Sequence, residues 1–347
     1  MHNRRHHYVP RFYLAAFQSA SDRLHLYHFS SQRAFKDASL RKQCYRHRFY
    51  GKSEDIENRL ARLEADAASV LRVIRASGQA PAIGTREYAT LLTFVALQDL
   101  RTPVARQKVK ELSAKMDDQV FGTNDPAPES GIERFSPMDD DEALRLHLMV
   151  LPQYATTMSD LQLHVAHTSA REKLITSDNP VFKYNSYCRA VQGWGVLGAD
   201  SPGLQIFLPL GPTDLLLLYD GDVYNLEQEG KRRSRTLGES DVRSLNSLQI
   251  LNSEHCVFFS EWSDSESIRR LSLLHRPRKQ GDAMKVEEVP EAGSTNKSIV
   301  HSWEALPDLP FLLPFSRLRW QARKIPPQDR ANHYRSGALA ARDLLSS

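Results

Sequence analysis

Cysteine is scarce: the 347 residues hold only Cys44, Cys188 and Cys256. They lie far apart, their number is odd and no C-x-x-C occurs, which argues against a disulfide framework and against a cysteine zinc centre. Long apolar runs are missing too. Among the longest, Leu215–Tyr219 falls far short of the ~20 residues of a membrane helix and reads as a buried strand. The start is basic and histidine-rich without the apolar stretch of a secretory signal. The expectation is therefore a protein of the reducing cytoplasm with no membrane partner. Neither sign of charge dominates, with 46 Lys and Arg against 42 Asp and Glu and a formal net charge of +4. Such a balance permits nucleic-acid binding without arguing for it. Walker loops, H-E-x-x-H and G-x-S-x-G do not occur. Gly193 to Gly198 matches G-x-G-x-x-G, but Ala199-Asp200-Ser201-Pro202-Gly203, a turn sequence, follows where a dinucleotide fold needs a helix.

The hydrophobic spacing predicts helices first and strands later. Pro10 suits the first turn of a short helix carrying Tyr13, Leu14 and Phe17. Arg23 to Phe29 alternates as a strand. Ile56, Leu60, Leu63, Ala67, Val70 and Ile74 step by three and four, a long helix from a Ser53 cap to Ala76. A second helix follows Gly84-Thr85, is broken at Thr102-Pro103 and resumes towards Val120. Residues 122–137 read as a loop, and Asp141 to Met158 as a helix disturbed by Pro152. Short strands are expected at Leu161–His167, Lys173–Ile175, Leu204–Leu208, Leu215–Tyr219 and Cys256–Phe259. A helix capped by Ser240 precedes the last of them. Residues 276–299 read as a polar linker. The fold class expected is α+β, a helical N-terminal half packed on a mostly antiparallel sheet from the second half. The expected units are a core over 1–262 (helical 1–158, strand-rich 159–262), a connector over 263–299 and an extension over 300–347.

Several polar residues stand where packing alone would not put them. Glu57 and Glu64 are seven apart, about two turns or ~10.5 Å along one side of the first long helix, and they border its apolar stripe. Carboxylates there are paired with Arg or Lys, or else used. Gln98 and Arg101 share an apolar face of the second helix, and a guanidinium emerging from such a face needs an anion. Asp178 and Asn179 lie in Thr176-Ser177-Asp178-Asn179-Pro180, which reads as a turn at a strand end. His6 and His7 precede the aromatic-rich first helix, and a histidine there suits general acid or base work. Their plainer reading is a basic N-terminal arm.

Taken together, His7-Tyr8-Val9-Pro10, Phe12-Tyr13-Leu14, Phe17, Phe49-Tyr50, Glu57, Glu64, Gln98-x-x-Arg101-Thr102-Pro103, Ile175 to Pro180, Pro209 and Asn246 form an ordered set. In content and spacing it resembles domain-of-unknown-function family 4238, over about residues 6–262. The resemblance implies a bacterial protein and one fold unit, and brings no reaction with it. Where that family usually has Gln, this chain has Arg11.

The functional expectation is a hydrolase acting on a phosphate-containing substrate, a phosphodiesterase or nuclease. His7, Glu57, Glu64 and Asp178 would be its catalytic residues, and Gln98, Arg101, Asn179 and Asn246 its substrate-binding residues. Glu57, Glu64 and Asp178, as oxygen donors, would suit Mg²⁺ or Mn²⁺. The partner would be nucleic acid or a small phosphate-containing molecule. The alternative is a ligand- or protein-binding module in which the same residues form a structural ion-pair network.

Overall fold

The computed structural model describes residues 5–50, 54–121, 137–191, 195–226, 234–278, 284–290, 298–307, 309, 313, 317–331 and 333–340. Strand β1 (Arg5–His7) is the first described element, followed by the single turn α1 (Arg11–Leu14). Strands β2 (Leu24–His28), β3 (Arg33–Ala38) and β4 (Tyr45–His47) follow. Four helices then run in succession: α2 (Glu54–Ser77), α3 (Arg86–Leu100), α4 (Pro103–Phe121) and α5 (Asp140–Thr157). The strand-rich part holds β5 (Gln162–Thr168), β6 (Thr176–Ser177), β7 (Phe182–Tyr184), β8 (Gln205–Pro209), β9 (Asp214–Tyr219), β10 (Tyr224–Asn225) and β11 (Ser234–Leu237). After α6 (Glu239–Asn252) come β12 (Cys256–Phe259), α7 (Ser265–His275), β13 (Met284–Pro290), β14 (Ser298–Glu304) and β15 (Arg317–Leu318).

The architecture is α+β. A five-stranded sheet has the order β11-β5-β9-β8-β7, with only the β11–β5 pair parallel. A four-stranded sheet, β3-β2-β12-β6, is antiparallel throughout. The run of leucines in β9 has a direct cause. Successive strand residues face opposite sides, and both sides of this sheet are covered. Leu216 and Leu218 join the core beneath the N-terminal helices, while Leu215 and Leu217 pack with Val242, Leu245 and Leu248 of α6. A strand buried on both faces reads as continuous apolar sequence rather than alternation.

Local signals place most helix ends. Thr85 caps α3 by accepting from the Tyr88 N–H at 3.2 Å, and Asp139 closes a capping box with Glu142 at the start of α5. Thr102 Oγ1 accepts from the Ala105 N–H, starting α4 after the break at Pro103. Four expectations need correction. Residues 5–7 form a strand, and helix begins only after Pro10. The Lys173–Ile175 strand is displaced to Thr176–Ser177, because the Ile175 N–H is taken by the Asn246 side chain. Gly238, rather than Ser240, stands at the N-cap of α6, its N–H held by Asp241 Oδ2 at 3.0 Å. The polar linker contains β13, which pairs with β14 as a hairpin and lies against α4. The loop read at 122–137 falls almost wholly outside the described residues, as does Ser53. Among the described residues no helix is long and apolar enough to cross a membrane.

Candidate functional site

A cavity of about 420 Å³ opens between the N-terminal segment and α2. Its wall includes Arg5, His6, His7, Arg11, Tyr50, Glu57 and Glu64. Strand β1 pairs antiparallel with β4, Arg5 opposite His47, His6 opposite Arg46 and His7 opposite Tyr45. The pleat therefore puts Arg5, His7, Tyr45 and His47 on one face of this ribbon and His6 and Arg46 on the other.

The two histidines have different chemistry. His6 is buried, its ring stacked on Tyr50 with centroids 5.3 Å apart. Its Nδ1 accepts the Tyr50 backbone N–H at 3.1 Å, and its Nε2 lies 3.4 Å from Glu57 Oε2. An Nδ1 that accepts leaves the proton on Nε2, facing the carboxylate. His6 is thus held as one tautomer and orients Glu57. His7 packs its ring against Tyr45, and its buried Nε2 has no hydrogen-bond partner. Burial lowers its pKa below the usual histidine value, with a backbone hydrogen bond at Arg41 opposing and the Arg11 charge adding to the fall. A neutral imidazole with an uncommitted nitrogen can accept a proton.

Glu64 is held from behind. Arg101, whose side chain is fully buried, donates from Nη1 to Glu64 Oε1 at 2.6 Å. Its Nε and Nη2 both donate to Gln98 Oε1, and Gln98 Nε2 donates to the Tyr8 carbonyl at 3.1 Å. Neither Gln98 nor Arg101 lines the cavity. Their work is to tie α3 to α2 and to the backbone beside His7.

Asp178, Asn179 and Asn246 also lie off the cavity wall. Asp178 is buried, and its two oxygens accept the backbone N–H groups of Glu254 (2.9 Å) and His255 (2.7 Å). Burial pushes its carboxyl up, against the pull of those two hydrogen bonds. Asn179 accepts from Thr102 Oγ1 at 2.9 Å and donates to the Asn252 carbonyl, while Asn246 bridges the Ile175 N–H and the Lys173 carbonyl. The turn is therefore a set of stitches joining β6, α6 and the α3–α4 junction. Through Thr102, the residue after Arg101, it braces the helix that positions Glu64. The metal set expected from Glu57, Glu64 and Asp178 does not assemble, because the Asp178 oxygens are consumed by backbone. Among the described residues no group of three or more His, Cys, Asp or Glu side chains is placed to hold a metal ion.

Arg5, His6 and Arg11 belong to the cavity beside the expected His7, Glu57 and Glu64. The signal for His6 was strand alternation in residues 5–7, visible only once β4 is known to be its partner.

These features define an α+β protein with a basic, histidine- and carboxylate-lined cleft at the junction of its N-terminal ribbon and first long helix. The chain belongs to the family described as "Protein of unknown function (DUF4238)", whose model matches residues 5–263. No curated protein and no solved structure gives a significant match.

Proposed function

We propose that the cleft is the active site of an enzyme that hydrolyses phosphodiesters. The observation that carries this reading is the neutral His7, with an unpartnered Nε2, in a cavity shared with Arg5, Arg11 and the Glu57 and Glu64 carboxylates. His7 acts as general base, taking a proton from the attacking water as the new O–P bond forms. The P–O bond to the leaving alcohol breaks, and that oxygen takes its proton from solvent. Arg5 and Arg11 bind the phosphoryl oxygens, as guanidinium groups suit that geometry. His6 positions Glu57, and Arg101 positions Glu64.

Two carboxylates beside a phosphate favour an accompanying divalent cation. Mg²⁺ or Mn²⁺ is typically held by one or two carboxylates together with substrate phosphates and water, and Glu57 or Glu64 would supply such a carboxylate. Such an ion would neutralise charge on the phosphoryl group.

The test is hydrolysis of bis(p-nitrophenyl) phosphate by the full chain, with Mg²⁺, with Mn²⁺ and with chelator, against His7→Ala and Glu57→Gln. Turnover lost in both variants while both remain folded is the expected result. Absence of turnover under every condition, or wild-type turnover in His7→Ala, overturns the assignment.

A further inference from the structure

The cavity continues onto a surface that a small phosphodiester would not use. Between Ser39 and Tyr50 the chain carries Arg41, Lys42, Arg46 and Arg48 and no acidic residue. All four are exposed, as are Arg5, Arg11 and His47. Arg41 and Lys42 sit on a single 3-10 turn just before β4. Aromatic and cationic groups are interleaved on the ribbon face that holds His7. The Arg5 guanidinium lies 5.2 Å from the centre of the Tyr45 ring, the His7 ring is 5.9 Å from it, and the His47 ring 6.0 Å.

The backbone fixes this layer. Cys44 and Arg48, on either side of β4, both adopt left-handed φ, 50° and 51°. Non-glycine residues adopt that conformation uncommonly, and surrounding contacts hold it here. Tyr8 N–H bonding to the Cys44 carbonyl at 2.9 Å, and the burial of Phe49 and Tyr50 directly after Arg48, are such contacts. The ribbon is thus a preset platform whose edge is the cavity: Arg5 and His7 belong to both.

We infer that this face binds single-stranded nucleic acid, an unpaired base entering the Tyr45–His47 layer and the backbone phosphates lying along Arg41, Lys42, Arg48 and Arg5. The strand so held leads a phosphodiester to His7. The inference rests on the proposed activity for that last step only. Cations with interleaved aromatic rings are the two elements of single-strand binding, since every base has a π face and every nucleotide a charge. A duplex keeps its bases stacked on one another and offers the ring layer nothing.

The test is fluorescence anisotropy with full-length His7→Ala protein, so that cleavage does not intervene, and labelled RNA and DNA oligonucleotides of roughly twelve nucleotides, within the range of single-strand sites. Single strands should bind more tightly than the matching duplexes. Placing Tyr45→Ala in the same background should weaken binding roughly tenfold, the scale of one lost base stack. Replacing Arg41 and Lys42 together by Gln, a change confined to an exposed turn, should weaken it and flatten the salt dependence. With four phosphates contacted, log K should fall against log salt with a slope near −3, about −0.7 per phosphate. Equal affinity for duplex and single strand, or undiminished binding in the Arg41/Lys42 double variant, overturns the inference. Turnover of bis(p-nitrophenyl) phosphate by the wild type without oligonucleotide binding by the His7→Ala protein sinks this surface and leaves the phosphodiesterase reading standing. Oligonucleotide binding without turnover does the reverse.

Discussion

Arg101 Nη1 reaches Glu64 Oε1 at 2.6 Å from a fully buried side chain, while Glu64 keeps about a quarter of its surface, 27%, open to the cavity. One residue of this pair belongs to the interior and the other to the cleft. An interior cation has been used to hold a surface carboxylate in place. Burial alone would lower the Arg101 pKa, but Tyr50 and Glu64 more than compensate and hold it above the usual arginine value.

Arg101→Ala should therefore be a folding variant before it is an activity variant. It removes the cation, leaves the Gln98 oxygen without its donors and opens a cavity, and breaking a buried pair costs about 3–5 kcal/mol. Because Glu64 is partly solvated, the lower end of that range is expected. Urea unfolding measures it. A loss under ~1 kcal/mol, the scale of an exposed pair, would remove the structural role assigned to Arg101.

Asp178 should matter to stability and leave the chemistry alone. Asp178→Ala strips the acceptor from the part-buried Glu254 and His255 N–H groups, at about 1 kcal/mol each, the low end of the cost of an unmade hydrogen bond. Asp178→Asn keeps one oxygen and avoids burying a charge, so its loss should be smaller. Turnover per folded molecule should equal wild type in both. A folded Asp178→Asn protein without activity would place Asp178 in the chemistry after all.

His7 sets the acid limb of the pH profile. Its folded pKa lies below 6.5 because burial disfavours the imidazolium, so the neutral base persists to lower pH than in an unperturbed histidine. The rate should hold through neutrality and fall only as pH drops below about 6.5 through the lowered pKa. An acid limb centred above that value contradicts His7 as the base.

Glu304 fastens the β13–β14 hairpin to the helical half. Burial alone would raise its pKa, but Lys108 and Lys183 outweigh this and bring it down to about 2 from 4.5. Lys183 approaches Glu304 Oε2 at 3.0 Å and also pairs with Asp99 at 3.3 Å. A carboxylate whose folded pKa is depressed adds stability above its unfolded pKa and loses it as pH falls through the folded one. The contribution should be full above about pH 5 and fade towards pH 2, with a size of about 3 kcal/mol from the linkage of pKa to stability. Chemical denaturation of wild type and Glu304→Gln across that window checks it: the difference between the two should shrink steadily with acid. A difference independent of pH would mean that Glu304 is not an ion-pair anchor.

The residues by themselves determined what depends on near neighbours. Helical spacing, the Thr85 cap and the Pro103 break are local, and they place α2 to α4 to within a residue or two. The run of leucines in β9 announced a buried strand for the same reason. Family membership was also legible, because dispersed motifs keep their order. Only the tertiary structure decided which polar residues face water. Glu57, Glu64, Gln98, Arg101 and Asp178 look alike as polar groups beside apolar stripes, yet Glu57 and Glu64 line the cleft while the other three are tied up within the protein. Burial and hydrogen-bond partners are set by segments far apart in sequence: Arg101 meets Glu64 across 37 positions, and Asp178 meets His255 across 77. The pairing of residues 5–7 with 45–47, which makes a strand of the first histidines and separates the roles of His6 and His7, is another such meeting. Three-residue strands carry too few side chains for periodicity to register, so their existence is decided by the partner strand alone.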